Sequence, residues 1–263
     1  MRQVDSSSLI EQLLPIARVA GEAIMLIYAG GGADVRIKGD FSPVTEADLV
    51  AHRELSLQLR TLIPDCPVVS EEDPASQIYR QSKGRFWLID PLDGTKEFIA
   101  RNGEFTVNIA LIEDGRSILG VVYAPAIDAL YWGGLGFGAF CCVRGEVVPL
   151  NVSATATSGS CRVVASKSHL NEVTQSFIDR LGVVSIIQAG SSLKFCRVAE
   201  GVADIYPRLA PTCEWDTAAA QAVLEGAGGV VQDLQGHSLR YGKLDVLNPF
   251  FVAARSAALI PHD

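Results

Sequence analysis

The sequence predicts a mixed α+β and α/β chain, with two helices backing an antiparallel N-terminal sheet and a smaller C-terminal α/β layer after it. Three observations lead there. Helical patterns occupy residues 6–62, short apolar runs of period two crowd residues 66–150, and strands alternate with helices beyond residue 160. The small, polar stretch NVSATATSGS at 151–160 is the expected boundary, dividing the chain into 1–150 and 151–263.

Ser6, Ser7 and Ser8 offer N-caps for a first helix over 6–28, where Leu9, Leu13, Ile16, Ala20, Ile24 and Ile27 recur at helical spacing. Gly30-Gly31-Gly32 ends it. A short strand, VRIK, precedes the loop 39–43, and a second helix runs from about Glu46 to Leu62, stopping before Pro64. The runs PVVS, RFWLID, TVNIALIED, SILGVVYAP, ALYWGG and GAFCCVRG then read as meandering strands separated by Gly, Pro or acidic turns. Past the boundary come RVVAS, a helix near 170–181, VVSIIQA, a helix from about Ser192 to Glu200, and ADIYP. A helix from Asp216 to about Glu225, then GGVVQD and PFFVAAR, complete the chain.

At 263 residues, with 48% hydrophobic and 20% charged residues, the composition is that of an ordinary globular protein. A net charge of −8 argues against nucleic-acid polymers and anionic membranes as partners, since both need clustered Lys and Arg. An anionic small substrate stays open, because a bound metal reverses the local sign of a pocket. The N-terminus lacks a signal-peptide pattern, and no run approaches the ~18 apolar residues of a membrane span. Six cysteines without C-x-x-C spacing suit buried reduced thiols. The expectation is a soluble cytoplasmic enzyme.

Four acidic features stand at strand ends or helix starts, where a fold gathers side chains into one crevice. Glu71 and Glu72 follow PVVS, Asp90 and Asp93 follow FWLI, Asp216 starts an alanine-rich helix, and Asp48 lies in the first turn of the second helix. Each has a plain structural reading. Asp216 can cap its helix, Asp48 can complete a capping box with Thr45, Glu71 and Glu72 can be a solvated loop, and Asp90 with Asp93 can mark a tight turn. Together they suggest oxygen ligands for Mg²⁺, and two such ions clamp the attacking and leaving oxygens of a phosphoryl transfer. The Asp-x-x-Asp turn offers two carboxylates plus the Leu92 carbonyl. Gly94 and Thr95 open a short helix whose free N–H groups form an anion site.

DPLDGT, with Glu71-Glu72 upstream and WDTAA…EGAGG downstream, resembles the magnesium-dependent, lithium-sensitive inositol monophosphatase superfamily over essentially the whole chain. DGTKEFIARNGEFTVNIAL and GSSLKFCRVAEGVADIYPR are similar to its bacterial 3′(2′),5′-bisphosphate nucleotidase branch. The resemblance implies a layered αβαβα sandwich, with the antiparallel N-terminal sheet and a smaller mixed C-terminal sheet. It implies a phosphatase that removes the 3′-phosphate of adenosine 3′,5′-bisphosphate by in-line attack of a metal-activated water. Glu71, Asp90, Asp93, Asp216 and the Leu92 carbonyl would then hold two or three Mg²⁺ ions, Asp90 bridging two. Thr95, polarised by Asp48, and Glu71 would orient the water, and the N–H groups of Gly94 and Thr95 would receive the phosphate. Ser191, Lys194, Arg208 and His169 would contact the rest of the nucleotide.

Inositol phosphate or a sugar bisphosphate as substrate, a catalytically silent relative that binds nucleotide or metal, and a purely structural partner protein are the competing readings. By the same analogy the role is to clear the bisphosphate left by sulfate assimilation. The resemblance also allows weak peripheral association with the cytoplasmic face of the inner membrane. Oligomeric state is left open.

Overall fold

The computed structural model describes residues 6–31, 35–39, 43–81, 84–154, 161–166, 171–182 and 184–261. The chain begins with α1 (Ser6–Ala29), the antiparallel pair β1 (Arg36–Ile37) and β2 (Pro43–Val44), and α2 (Glu46–Leu62). Then come β3 (Val68–Ser70), β4 (Arg85–Asp93), the short α3 (Thr95–Ile99), β5 (Thr106–Glu113), β6 (Arg116–Ala124), β7 (Ala129–Gly134), β8 (Gly138–Val143) and β9 (Glu146–Leu150). The remainder is β10 (Cys161–Ala165), α4 (Glu172–Arg180), β11 (Val184–Gln188), α5 (Leu193–Ala199), β12 (Ile205–Arg208), α6 (Glu214–Gly226), β13 (Val230–Asp233) and β14 (Phe251–Ala254).

Among the described residues, β3 to β9 form a seven-stranded sheet in sequence order, antiparallel except for the parallel β3–β4 pair. The second sheet has five strands in the order β11-β10-β12-β14-β13, parallel on one side of β12 and antiparallel on the other.

The continuous apolar run of β4 has a direct cause: both faces of its sheet are buried. Phe86 and Leu88 point into one core, which they share with α5 and α6, while Trp87 and Ile89 point into the other, shared with α1 and α2. In β14 the same alternation sends Phe251 and Ala253 toward α5 and α6, and Val252 and Ala254 toward Phe177 and Ile178 of α4. The stacking order is therefore α1/α2, seven strands, α5/α6, five strands, α4, which is the layered αβαβα sandwich expected above. Each large side chain buried in these cores contributes roughly 1.5–3 kcal/mol.

Several boundaries differ from the sequence reading. The strand β9 was not anticipated; Arg144 and Gly145, both at positive φ, make the two-residue turn that leads into it. The segment Pro74–Gln81 forms a 3-10 helix, and α6 begins at Glu214 rather than Asp216. All six cysteines are free. Among the described residues no helix is long and apolar enough to cross a membrane. Most of the 151–160 stretch lies outside the described residues.

Small residues let α6 lie close on the seven-stranded sheet. A Cβ placed on Gly120 of β6 would come within 2.1 Å of the Ala219 carbonyl oxygen. Nearby, the Ser117 hydroxyl donates to the Ala218 carbonyl at 2.8 Å. Gly120→Ala should therefore push α6 outward and cost about 1–3 kcal/mol. The check is a lowered melting temperature; an unchanged one would show that the helix is free to move.

Candidate active site

In a regular strand, residues three apart point to opposite faces, so Asp90 and Asp93 should diverge. They do not, because β4 carries a bulge between them. Asp90 pairs with Asn108 and Asp93 with Thr106, so Pro91 and Leu92 of β4 stand against Val107 alone of β5. The extra residue turns Asp93 back to the face of Asp90, where α5 and α6 approach. Gly94, at φ +96°, then redirects the chain into α3.

Two more carboxylates arrive from other elements. Glu71 follows β3, and Asp216 lies in the first turn of α6. Oxygens of Glu71, Asp90 and Asp216 come within 4.8 Å of one another. Together with Leu92, Asp93, Gly94, Thr95, Ser191, Lys194 and Arg208 they line a cleft of about 260 Å³. His169 lies outside the described residues.

Asp93 is fixed by donors that the sequence did not single out. Its Oδ2 accepts from the Ser192 backbone N–H and from the Ser192 hydroxyl, both at 2.7 Å. Asn108 Nδ2 at 3.3 Å and Thr106 Oγ1 at 3.5 Å complete the set. The Ser192 hydroxyl also reaches the Asp216 carbonyl at 3.1 Å, which joins the bulge to α6. The motif GSSLKF presents two serines, and only the folded loop shows that Ser192 braces Asp93 while Ser191 faces the cleft.

Asp48 serves two roles at once. Its Oδ2 accepts from the Thr45 N–H at 2.8 Å and the Thr45 hydroxyl at 2.6 Å, the capping interaction of α2. Its Oδ1 accepts from the Thr95 hydroxyl at 3.1 Å. Burial raises the pKa of Asp48. The capping reading and the catalytic one therefore use different oxygens of the same carboxylate. Glu71 and Glu72 are not a solvated loop: Lys38 Nζ bonds to both, at 2.8 and 2.6 Å. Lys38 had counted only as part of a short strand.

The electrostatics show what charge the cluster would accept. Burial, then Glu71, Asp93 and Asp216, push the Asp90 carboxyl well above its usual range. Burial, then Asp93 and Glu71, do the same for Asp216. Glu71 is also raised by burial, against the pull of Lys38. An all-oxygen set of buried and half-buried, mutually repelling carboxylates fits a hard divalent cation. Across the cleft, burial lowers the Lys194 ammonium to about 8, against the pull of Asp93. Ser191 and Arg208 line the same cleft, and their Oγ and Nε atoms are buried without a hydrogen-bond partner in the protein.

The comparisons with known proteins agree with this geometry. Residues 5–261 match the model of the inositol monophosphatase family. The 3′(2′),5′-bisphosphate nucleotidase CysQ of Salmonella typhimurium is 47% identical over 247 residues, covering 92% of this chain and 98% of its own. CysQ of Escherichia coli strain K12 is 48% identical at the same coverage. The crystal structure of CysQ from Bacteroides thetaiotaomicron, a bacterial member of the inositol monophosphatase family, superposes with a TM-score of 0.81 and 40% identity, covering 96% of this chain and 98% of that one. Metal dependence is typical of that family, and the chain carries the acidic cluster it needs.

The raised carboxyl pKa values have a consequence for stability. Asp90 and Asp216 hold protons in the folded, metal-free protein at pH values where the unfolded chain has released them. Their contribution is complete below the usual carboxylate pKa of about 4 and is lost as pH rises through the raised values. In chelator, Asp90→Asn should therefore melt higher than wild type at about pH 8, with a smaller gain at about pH 5. A variant that melts lower at the higher pH would contradict the repulsion.

Proposed function

We infer the activity from one premise: the chain belongs to the inositol monophosphatase family. Within it, we propose a Mg²⁺-dependent 3′(2′),5′-bisphosphate nucleotidase that converts adenosine 3′,5′-bisphosphate to AMP and phosphate. The observation that carries the bisphosphate reading is the second set of groups in the cleft. Lys194, whose Nζ is held by the Ser191 carbonyl at 2.6 Å, stands with Arg208 and Ser191 along the cleft beyond the carboxylate cluster, where a second phosphate would need donors. The names of the relatives support the same substrate class.

In this reading Glu71, Asp90, Asp93, Asp216 and the Leu92 carbonyl would hold two or three Mg²⁺ ions, with Asp93 Oδ1 unencumbered by the bonds to Oδ2. Bound there, Mg²⁺ supplies Lewis acidity, making water acidic enough to attack near neutral pH and neutralising charge on the phosphate. The Thr95 hydroxyl gives its hydrogen to Asp48 Oδ1, so its lone pairs are free to accept from the attacking water and orient it. The backbone N–H groups of Gly94 and Thr95 receive the scissile phosphate. Lys194 and Arg208 take the other phosphate, and His169 contacts the nucleoside. Most ligands then come from residues 1–150 and the last from 151–263.

The deciding measurement is phosphate release, with Mg²⁺, from adenosine 3′,5′-bisphosphate, its sulfated analogue, inositol 1-phosphate and fructose 1,6-bisphosphate. The adenosine bisphosphate should lead inositol 1-phosphate by about tenfold or more in kcat/KM. Preference for inositol 1-phosphate would remove the nucleotide reading and leave the chemistry; inactivity toward all four would favour a silent relative.

Lys194 gives a separate test. It is charged below about pH 8 and neutral above, so KM for the bisphosphate should climb as pH passes that point. Lys194→Met should raise KM by about tenfold or more, the loss of one charge-assisted hydrogen bond, and flatten the pH dependence. An unchanged KM would take Lys194 out of the phosphate site.

A further inference from the structure

Glu214 is the first residue of α6 and is completely buried. A buried carboxylate is costly unless donors surround it. Here both oxygens are fully engaged. Oε1 accepts from the Lys243 backbone N–H at 3.0 Å and from Lys243 Nζ at 2.6 Å. Oε2 accepts from the Gly242 N–H at 2.9 Å and from Arg80 Nη1 at 3.1 Å. Arg80 is buried too, and it donates onward to the carbonyls of Lys243 at 3.2 Å and Leu244 at 3.5 Å. None of these three side chains lines the cleft, and the proposed chemistry uses none of them.

Their location suggests what they do. Arg80 sits near the end of the 3-10 segment Pro74–Gln81, which follows the turn bearing Glu71 and Glu72. That segment is locked to the turn by Ser76, whose hydroxyl donates to the Asp73 carbonyl at 2.6 Å and accepts from the Ser70 N–H at 3.1 Å. At the other end of the pair, Glu214 lies on the same helical turn as Asp216. The Arg80–Glu214 contact thus ties the element carrying Glu71 to the element carrying Asp216. Those two carboxylates repel each other, and their oxygens lie within 4.8 Å. Asn248 grips the same turn from another side, its Nδ2 donating to the Cys213 carbonyl at 2.7 Å and to Thr217 Oγ1 at 3.0 Å.

We propose that Glu214, held by Arg80 and Lys243, is a positioning residue that fixes the first turn of α6 and so presents Asp216 to the divalent cation beside Glu71 and Asp90. This rests on the metal-site reading above. Without the clamp, repulsion among the carboxylates would let the start of α6 move away from the bulge. A site assembled in advance loses none of the ion's binding free energy to rearrangement. A purely structural ion pair would lower stability but leave the Mg²⁺ affinity of the folded molecules unchanged. A positioning pair lowers that affinity in protein that is still folded.

The test compares wild type with Glu214→Gln and with the milder Arg80→Lys. Circular dichroism and melting in chelator establish that each is folded. Mg²⁺ binding is then measured by titration calorimetry, and the Mg²⁺ dependence of phosphate release by steady-state kinetics. Glu214→Gln should bind Mg²⁺ about tenfold or more weakly and Arg80→Lys about threefold or more, with kcat recovering as Mg²⁺ saturates and KM for the nucleotide little changed. Folded variants that bind Mg²⁺ as tightly as wild type overturn the proposal. If Glu214→Gln does not fold, Arg80→Lys decides alone, by the same criterion. Wild type that binds no Mg²⁺ sinks the metal-site reading itself, an outcome distinct from wild type and variants binding equally.

Discussion

Three carboxylates within 4.8 Å of one another, all buried or half-buried, are the constraint around which the cleft is built. Burial and mutual repulsion act in the same direction on Asp90 and Asp216. Raised carboxyl pKa values at Asp90 and Asp216, the Lys38 ammonium on Glu71 and a stiff scaffold together hold such a cluster in place. The seven-stranded sheet supplies that stiffness on one side, with cores on both of its faces. The close packing of α6 against Gly120 supplies it on the other. Stability is thus invested in the layers around the cleft, while Asp90 and Asp216 oppose folding at the pH values where they ionise.

The local devices around the cluster follow the same logic. A one-residue bulge brings Asp93 to the face of Asp90, and four donors on Asp93 Oδ2 keep it there. Asp48 is pinned by the helix it caps while its free oxygen orients Thr95. Glu214 is saturated by donors from the 242–243 turn and Arg80. In each case a hydrogen bond with an ordinary structural purpose also fixes a group that lines or borders the cleft. At Asp48 one oxygen caps α2 and the other accepts from Thr95, so the capping reading and the proposed catalytic one are compatible.

The cleft has two electrostatic poles. Carboxylates gather at the strand end and α6, while Lys194 and Arg208 stand along its lining. With a net charge of −8 the protein as a whole would repel a polyanion. Cations bound at the first pole and basic side chains at the second would let a small anion bind within a field that excludes larger ones.

Much of this was legible in the linear sequence. Period-two runs and helical spacing were enough for most of the elements, because strand and helix periodicities are local properties of the chain, and the three acidic motifs were enough for the family resemblance that implied the layer order. The capping pair Thr45 and Asp48 was legible for the same reason. What only the tertiary structure decided is non-local. Asp-x-x-Asp spacing does not reveal a bulge, two adjacent serines do not reveal which one braces Asp93, and Lys38 looked like an ordinary strand residue until it met Glu71 and Glu72. The link from Arg80 to Glu214 joins residues far apart in sequence and close only after both layers have packed. A sequence records which side chains are available at each turn and strand end; which of them share a buried oxygen depends on how separately folded layers meet.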